Sequence, residues 1–273
     1  MPRIKTQDGT ELYVKQWGDG RPVILIHGWP LSADSWDDVA LALAENDMRA
    51  IAYDRRGFGR SDQPWGGYDY DTLADDLAAV IAATGATDAA LVGFSMGGGE
   101  VARYLSRHAG RNVSQAVLVS SVVPYLLRTD DNPDGVPEDQ LQSIAEGIRQ
   151  DKAGFFDDFF KNFFGVGVLG GGPGEPNLRL AWNTAMLAGL RPILGCAQAF
   201  GYTDFRPDLA AFTLPTLVIH GNADKIVPID ATGRAAAQAI RGAQWIEYED
   251  APHGLFATHK ERLIADLLGF LRR

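Results

Sequence analysis

The sequence predicts an α/β fold: a mostly parallel central sheet flanked by helices, with a helical insertion after the sixth strand. Three observations carry this expectation. Short apolar runs alternate with longer amphipathic segments. Several of these runs lack the polar alternate positions of a half-exposed strand, as strands covered on both faces do. The alternation also stops near Val122 and resumes at Thr216, leaving about 90 residues of different composition.

The elements follow in order. Ile4–Thr6 and Leu12–Trp17 flank the turn Asp8-Gly9 and read as a hairpin. Val23–His27 and Arg49–Tyr53 read as buried strands, with a helix over Ser35–Glu45 between them. Asp71–Thr84 carries Leu73, Leu77, Val80 and Ile81, a helical stripe. Ala89–Gly93 (strand), Gly97–His108 (helix) and Val113–Ser120 (strand) continue the pattern. After the insertion come a strand at Thr216–His220, a helix over Ile229–Ile240, a strand at Gln244–Tyr248 and a helix over Phe256–Arg272. The insertion opens polar and proline-rich at residues 130–137, then carries the aromatic run Gly154–Gly165 and a helix over Leu178–Ala188. This divides the chain into a core of residues 1–121 and 213–273 and a cap of residues 122–212. Open α/β sheets bind ligands at the carboxyl edge, where such a cap would sit.

Composition excludes several function classes. With 273 residues the chain fits one large α/β domain. No stretch approaches 18 uncharged apolar residues, so no transmembrane helix and no membrane partner are expected. The first nine residues lack an apolar signal core, and the expected location is cytoplasmic. The formal net charge is −10 and no basic face is visible, which argues against nucleic acid. The single cysteine, Cys196, can form neither an intrachain disulfide nor a cysteine-rich zinc site, and reads as a small buried apolar residue.

Gly93-Phe94-Ser95-Met96-Gly97 fits the G-x-S-x-G nucleophile elbow. Chance gives about 0.1 such matches in a chain this rich in glycine, so context decides. The context is right: a strand enters the motif and a helix leaves it. A sharp turn there lifts the serine hydroxyl to the sheet edge, and the glycines at 93 and 97 let neighbouring chain pass close by.

A serine hydroxyl needs a base oriented by a carboxylate. Of five histidines, His27 and His220 end strands, His108 lies in the last turn of a helix, and His259 reads as exposed on a helical turn. His253, in Asp250-Ala-Pro-His-Gly254, follows the last strand, where the base belongs in the order Ser, Asp, His. Asp224 follows Thr216–His220, whereas no carboxylate follows Val113–Ser120 until Asp130, so Asp224 is the expected acid. The oxyanion donors are expected to be the backbone N–H groups of Met96 and Trp29. Pro30 has no N–H and restricts Trp29 toward an extended conformation.

Other motifs yield less. Gly165-Val-Gly-Val-Leu-Gly170 matches G-x-G-x-x-G but follows an aromatic helix rather than a strand, so it reads as a cap hinge and not as a dinucleotide site. Asp54-Arg-Arg-Gly57 reads as structural ion pairing. Phe155, Phe159 and Phe163 form one helical row and Phe156, Phe160 and Phe164 its neighbour, a broad apolar face that packs the cap onto the core or walls the substrate. The candidate pocket residues are Pro30, Phe159, Phe163, Phe200 and Ile226. No His/Cys/carboxylate cluster suggests a metal, and no cofactor is expected.

Taken together, the chain resembles the α/β-hydrolase family, and within it the bacterial arylesterases, perhydrolases and cofactor-free, non-haem haloperoxidases, with gamma-lactamases in the same group. The resemblance rests on His27-Gly-Trp-Pro30 with Ser35-Trp36, Asp54-Arg-Arg-Gly-Phe-Gly-Arg-Ser61, Gly93-Phe-Ser-Met-Gly-Gly-Gly-Glu100, Phe200–Phe205, Val218–Asp224 and Asp250–Gly254. It implies an esterase that forms an acyl-enzyme on Ser95. Water completes hydrolysis; hydrogen peroxide gives a peracid, which oxidises halide in solution without metal, haem or flavin. In the resembling perhydrolases a proline after the oxyanion-loop tryptophan accompanies peracid formation. The implied partners are small ester, acyl or peroxide substrates, with a homo-oligomer left open. The family also contains lactamases, carbon–carbon hydrolases or lyases on the same triad, and small-molecule receptors. Ser95 argues against the aspartate-nucleophile dehalogenases and epoxide hydrolases.

Overall fold

The apolar runs form an eight-stranded sheet. This computed structural model describes residues 3–167 and 172–273. The strands are β1 (Arg3–Lys5), β2 (Glu11–Trp17), β3 (Arg21–Ile26), β4 (Met48–Tyr53), β5 (Ala89–Phe94), β6 (Val113–Val119), β7 (Thr216–Gly221) and β8 (Gln244–Tyr248). Their order is β1-β2-β4-β3-β5-β6-β7-β8. The β1–β2 and β2–β4 pairs are antiparallel, and every other neighbouring pair is parallel.

Every residue of β5 and β7 is buried, which explains why these segments are apolar apart from Thr216 and His220. Edge strand β8 is only partly buried. The chain leaves β3 toward β4 on one side, whereas β5 pairs on the other. The carboxyl ends of β3 and β5 therefore flank a topological switch point, where a crevice forms because the connections diverge.

The helices are α1 (Asp37–Ala44), α2 (Tyr70–Ala83), α3 (Met96–Arg107), α4 (Glu138–Gln150), α5 (Lys152–Phe163), α6 (Glu175–Leu187), α7 (Leu190–Tyr202), α8 (Ala235–Ala239), α9 (Leu255–Thr258) and α10 (Lys260–Leu271). α2 packs on α3, and α1 on α10. Asp69 caps α2 by accepting the Thr72 N–H at 2.9 Å. Between β6 and β7 lie α4 to α7, so the region outside the alternating pattern is helical.

Three local expectations are corrected. The last helix is two: α9 and α10 are separated at His259, whose backbone (φ −132°, ψ 36°) leaves the helical region. His259 is accordingly half-buried in that junction, its ring 5.8 Å from the Tyr248 ring, and not exposed. The helix expected over Ile229–Ile240 begins with a wider π-type turn at Asp230–Arg234 before α8. Of the Gly165–Gly170 motif, residues 168–170 lie outside the described residues.

Asp54-Arg-Arg-Gly57 forms ion pairs at the ends of strands. Arg55, fully buried, donates through Nε to Glu100 of α3 at 2.5 Å and through Nη2 to the His27 carbonyl at 2.6 Å. Arg56 clasps Asp76 of α2 through two bonds of 2.6 Å. Asp54 accepts from the Ala33 and Arg60 amides, each at 2.8 Å. Cys196 is buried, and burial pushes its thiol up to about 12.

Candidate active site

Ser95 stands between β5 and α3 with φ 54° and ψ −119°. A non-glycine residue at positive φ is strained. Here neighbours hold it: the Ser95 N–H donates to the Val119 carbonyl at 2.8 Å, and its carbonyl accepts the Gly98 N–H at 3.0 Å. Close approach explains the glycines. A Cβ on Gly97 would lie 2.6 Å from the Ile26 carbonyl oxygen. On Gly28 it would lie 2.6 Å from the Phe94 ring and 3.0 Å from the Ser95 Cβ. The loop after β3 thus runs directly against the serine.

Asp224 and His253 come from the carboxyl ends of β7 and β8. Ser95 Oγ lies 2.9 Å from His253 Nε2, and His253 Nδ1 lies 2.6 Å from Asp224 Oδ2. The other carboxylate oxygen, Oδ1, accepts the Ile226 and Val227 amides at 2.8 and 2.9 Å. The His253 and Asp224 side chains have no solvent exposure. Burial works against the Asp224 charge, but the His253 ring and hydrogen bonds from His220 and His253 outweigh it and hold the carboxyl far below the usual carboxylate range. The His253 ring is packed by Phe94 and Phe163, at ring distances of 5.0 and 4.8 Å.

His27 has a different setting. Its Nε2 accepts the Arg55 N–H at 3.0 Å, and its Nδ1–H donates to the Gly28 carbonyl at 2.9 Å. Burial, reinforced by the Arg55 charge, pushes its pKa well below the usual imidazole range. His27 is therefore a neutral brace of the loop that carries Trp29. His108 pairs with Asp75 at 2.8 Å, on the α2–α3 surface.

Met96 is the first residue of α3, where an amide has no preceding helical turn to bond. Trp29 follows Gly28 in the loop beside Ser95. Its indole N–H donates to the Ile193 carbonyl of α7 at 3.1 Å, and its ring meets Phe156, Phe159 and Phe200 at 5.3–5.5 Å. The inserted helices are thereby joined to this loop.

A narrow cavity of about 40 Å³ opens beside Ser95 and His253. Of the candidate pocket residues, Phe159, Phe200 and Ile226 line it, together with Trp29. Pro30 and Phe163 do not: both are buried, and Phe163 packs on His253 and Phe94 instead. Val122, Gln140, Leu141 and Ile144 also line the cavity and were not foreseen. Leu141, Ile144 and Ile148 are spaced three and four apart, a signal that could have revealed α4 and its inward face. A larger groove of about 630 Å³ between residues 66–69, α4 and α7 shares Leu141 with this cavity but does not reach Ser95.

The family model described as alpha/beta hydrolase fold matches residues 21–260. The chain belongs to the alpha/beta hydrolase family. Among its relatives, a non-heme chloroperoxidase of Kitasatospora aureofaciens is 43% identical over the full length of both chains. A bifunctional esterase/perhydrolase of Acinetobacter calcoaceticus is 37% identical, also over all of both. The crystal structure of a bromoperoxidase from Bacillus anthracis superposes with a TM-score of 0.96 at 40% identity, covering 100% of this hydrolase and 99% of the other chain.

Proposed function

We propose that this hydrolase cleaves small carboxylic esters through an acyl-enzyme, with Ser95 as nucleophile, His253 as general base and acid, and Asp224 as the carboxylate that orients the imidazole. The observation that carries this reading is the unbroken chain of Ser95 Oγ, His253 Nε2, His253 Nδ1 and Asp224 Oδ2 at 2.9 and 2.6 Å. Ser95 attacks the ester carbonyl and passes its proton to His253 Nε2. The ring then gives that proton to the leaving alcohol oxygen as the ester C–O bond breaks. The amides of Trp29 and Met96 receive the developing oxyanion. Water, deprotonated by the same ring, releases the acid.

Hydrogen peroxide in place of water releases a peracid, and the peracid oxidises halide away from the protein. The esterase/perhydrolase and chloroperoxidase relatives support this second outcome on the same acyl-enzyme. No step calls for a metal or organic cofactor. Residues 122–212 serve as a cap over a core of residues 1–121 and 213–273, and Phe159, Phe200 and Ile226 wall the acyl group. Because the imidazole must be unprotonated to accept the serine proton, activity falls on acidification.

The test is Ser95→Ala. We expect aryl acetate hydrolysis to fall by at least about 10³-fold, with the melting temperature kept. A fluorophosphonate probe should label the parent at Ser95 and leave the variant unlabelled. Activity within tenfold of the parent, or labelling at another residue, overturns the assignment.

A further inference from the structure

Asp224 accepts a hydrogen bond from a second histidine, which the mechanism does not use. Besides His253 and the two loop amides, its Oδ2 lies 3.1 Å from Nε2 of His220, the buried histidine near the end of β7. The same Nε2 lies 3.2 Å from the Val227 carbonyl. A carboxylate and a carbonyl can only accept, so His220 Nε2 carries a proton and shares it between them. Its Nδ1 is buried and has no hydrogen-bond partner among the described residues. It faces Gly233, where a Cβ would lie 2.6 Å away. A proton on Nδ1 would have no acceptor there, so the surroundings select the Nε2–H tautomer.

We propose that His220 is a positioning residue for the reaction: its Nε2–H occupies one acceptor site of the Asp224 carboxylate, limits that carboxylate's hold on the protonated His253 ring, and ties the acid to the Val227 peptide. This rests on the triad reading above. A carboxylate offers about four acceptor directions. Ile226, Val227, His253 and His220 fill four. Without His220, the charge on Oδ2 is shared with one donor fewer. The His253 imidazolium is then better stabilised, which moves the acid limb up. The carboxylate, no longer tied through the shared proton to the Val227 peptide, holds the ring toward Ser95 less firmly, which lowers kcat. Among the described residues, Glu247 is the charged group opposite His220 in the β7–β8 register. Glu247 is itself held by Arg234 and Asn222, and Arg234 also pairs with Asp230. His220 does not line the cavity at Ser95, so its effect should appear in kcat and in the pH profile, not in KM.

Two variants separate this role from simple packing. His220→Leu removes the donor; His220→Gln restores an N–H at the end of the side chain. For His220→Leu on an aryl acetate we expect kcat to fall about tenfold with KM within about twofold, and the acid limb of the rate profile to move up by about half a pH unit. His220→Gln should recover most of kcat and return the limb to the parental pH. A parental kcat and limb in His220→Leu, or no recovery in His220→Gln, overturns the proposal. Should the leucine variant not fold, long-range ¹H–¹⁵N correlation on the parent enzyme at its active pH reads the tautomer directly. A proton on Nε2 and a bare Nδ1 at His220 are expected, and a proton on Nδ1 overturns the proposal. Ser95→Ala distinguishes the two failures: if it retains activity the triad reading fails, and if it is inactive while His220→Leu is parental, only the role of His220 fails.

Discussion

At the scale of single residues, strand ends and helix rotation decide which side chains meet beside Ser95. Ser95, Asp224 and His253 could be selected because each follows a strand on the side where ligands bind, and position along the chain fixed their order. The pocket was read less well, and helix geometry explains why. Residues four apart drift by about 40° around a helix, so a row of three drifts about 80°. Phe159 therefore reaches Trp29 and the cavity, while Phe163, one step further, turns onto His253 and Phe94. His220 left no signal for its contact with Asp224, because a histidine ending a strand reads the same whether or not it meets the acid.

Pro30 supplies a prediction at this scale. It does not line the cavity, but it follows Trp29 directly, fixes its own φ, and restricts the residue whose amide we assign to the oxyanion. Its carbonyl needs no N–H to accept a hydrogen bond from a peroxide attacking the acyl-enzyme. Pro30→Leu should therefore lower perhydrolysis of acetate more than hydrolysis of an aryl acetate. A selective loss of about 1.4 kcal/mol changes the ratio of the two rates tenfold. Rates that fall in parallel would leave Pro30 with no role beyond shaping the loop.

At the scale of elements, the buried strands were legible because burial on both faces leaves mostly apolar residues, and α2 because its stripe is complete. α4 is harder to read, because its apolar row Leu141, Ile144 and Ile148 is short and stands among polar residues. The break at His259 was hidden because apolar residues continue on both sides of it. α4 nevertheless lines the cavity beside Ser95 through Gln140, Leu141 and Ile144. Leu141 lies between the 40 Å³ cavity and the 630 Å³ groove. Leu141→Ala should join them and admit longer acyl chains. A methylene in an apolar pocket is worth about 1–3 kcal/mol, so the kcat/KM ratio of hexanoate to acetate aryl esters should rise about tenfold or more. An unchanged ratio across acyl lengths would mean that Leu141 is not the end wall of the acyl site.

At the scale of the whole molecule, the buried site is coupled to stability against acid. Among the described residues the carboxyls of Asp8, Asp34, Asp75 and Asp224 are all held below their ordinary values. The first three are substantially exposed, so solvent screening discounts them. Asp224 is buried in full. The sign follows from linkage: a carboxyl depressed in the folded state binds fewer protons there than in the unfolded chain. Its contribution is complete above the unfolded value of about 3.9 and is lost as pH falls below it. Asp224→Asn places an amide N–H among four donors, so it should be less stable than the parent at pH 7. Below about 3.9 the unfolded parent binds a proton at this carboxyl that the folded parent does not, so the parent's advantage over the uncharged Asn variant shrinks. The two melting temperatures should therefore converge as pH falls from 7 toward 3, by more than the 2–4 °C that about 1 kcal/mol represents in a chain of this size. Calorimetry on both proteins across that range decides it: parallel curves would mean that Asp224 is not the buried carboxylate whose charge the fold protects.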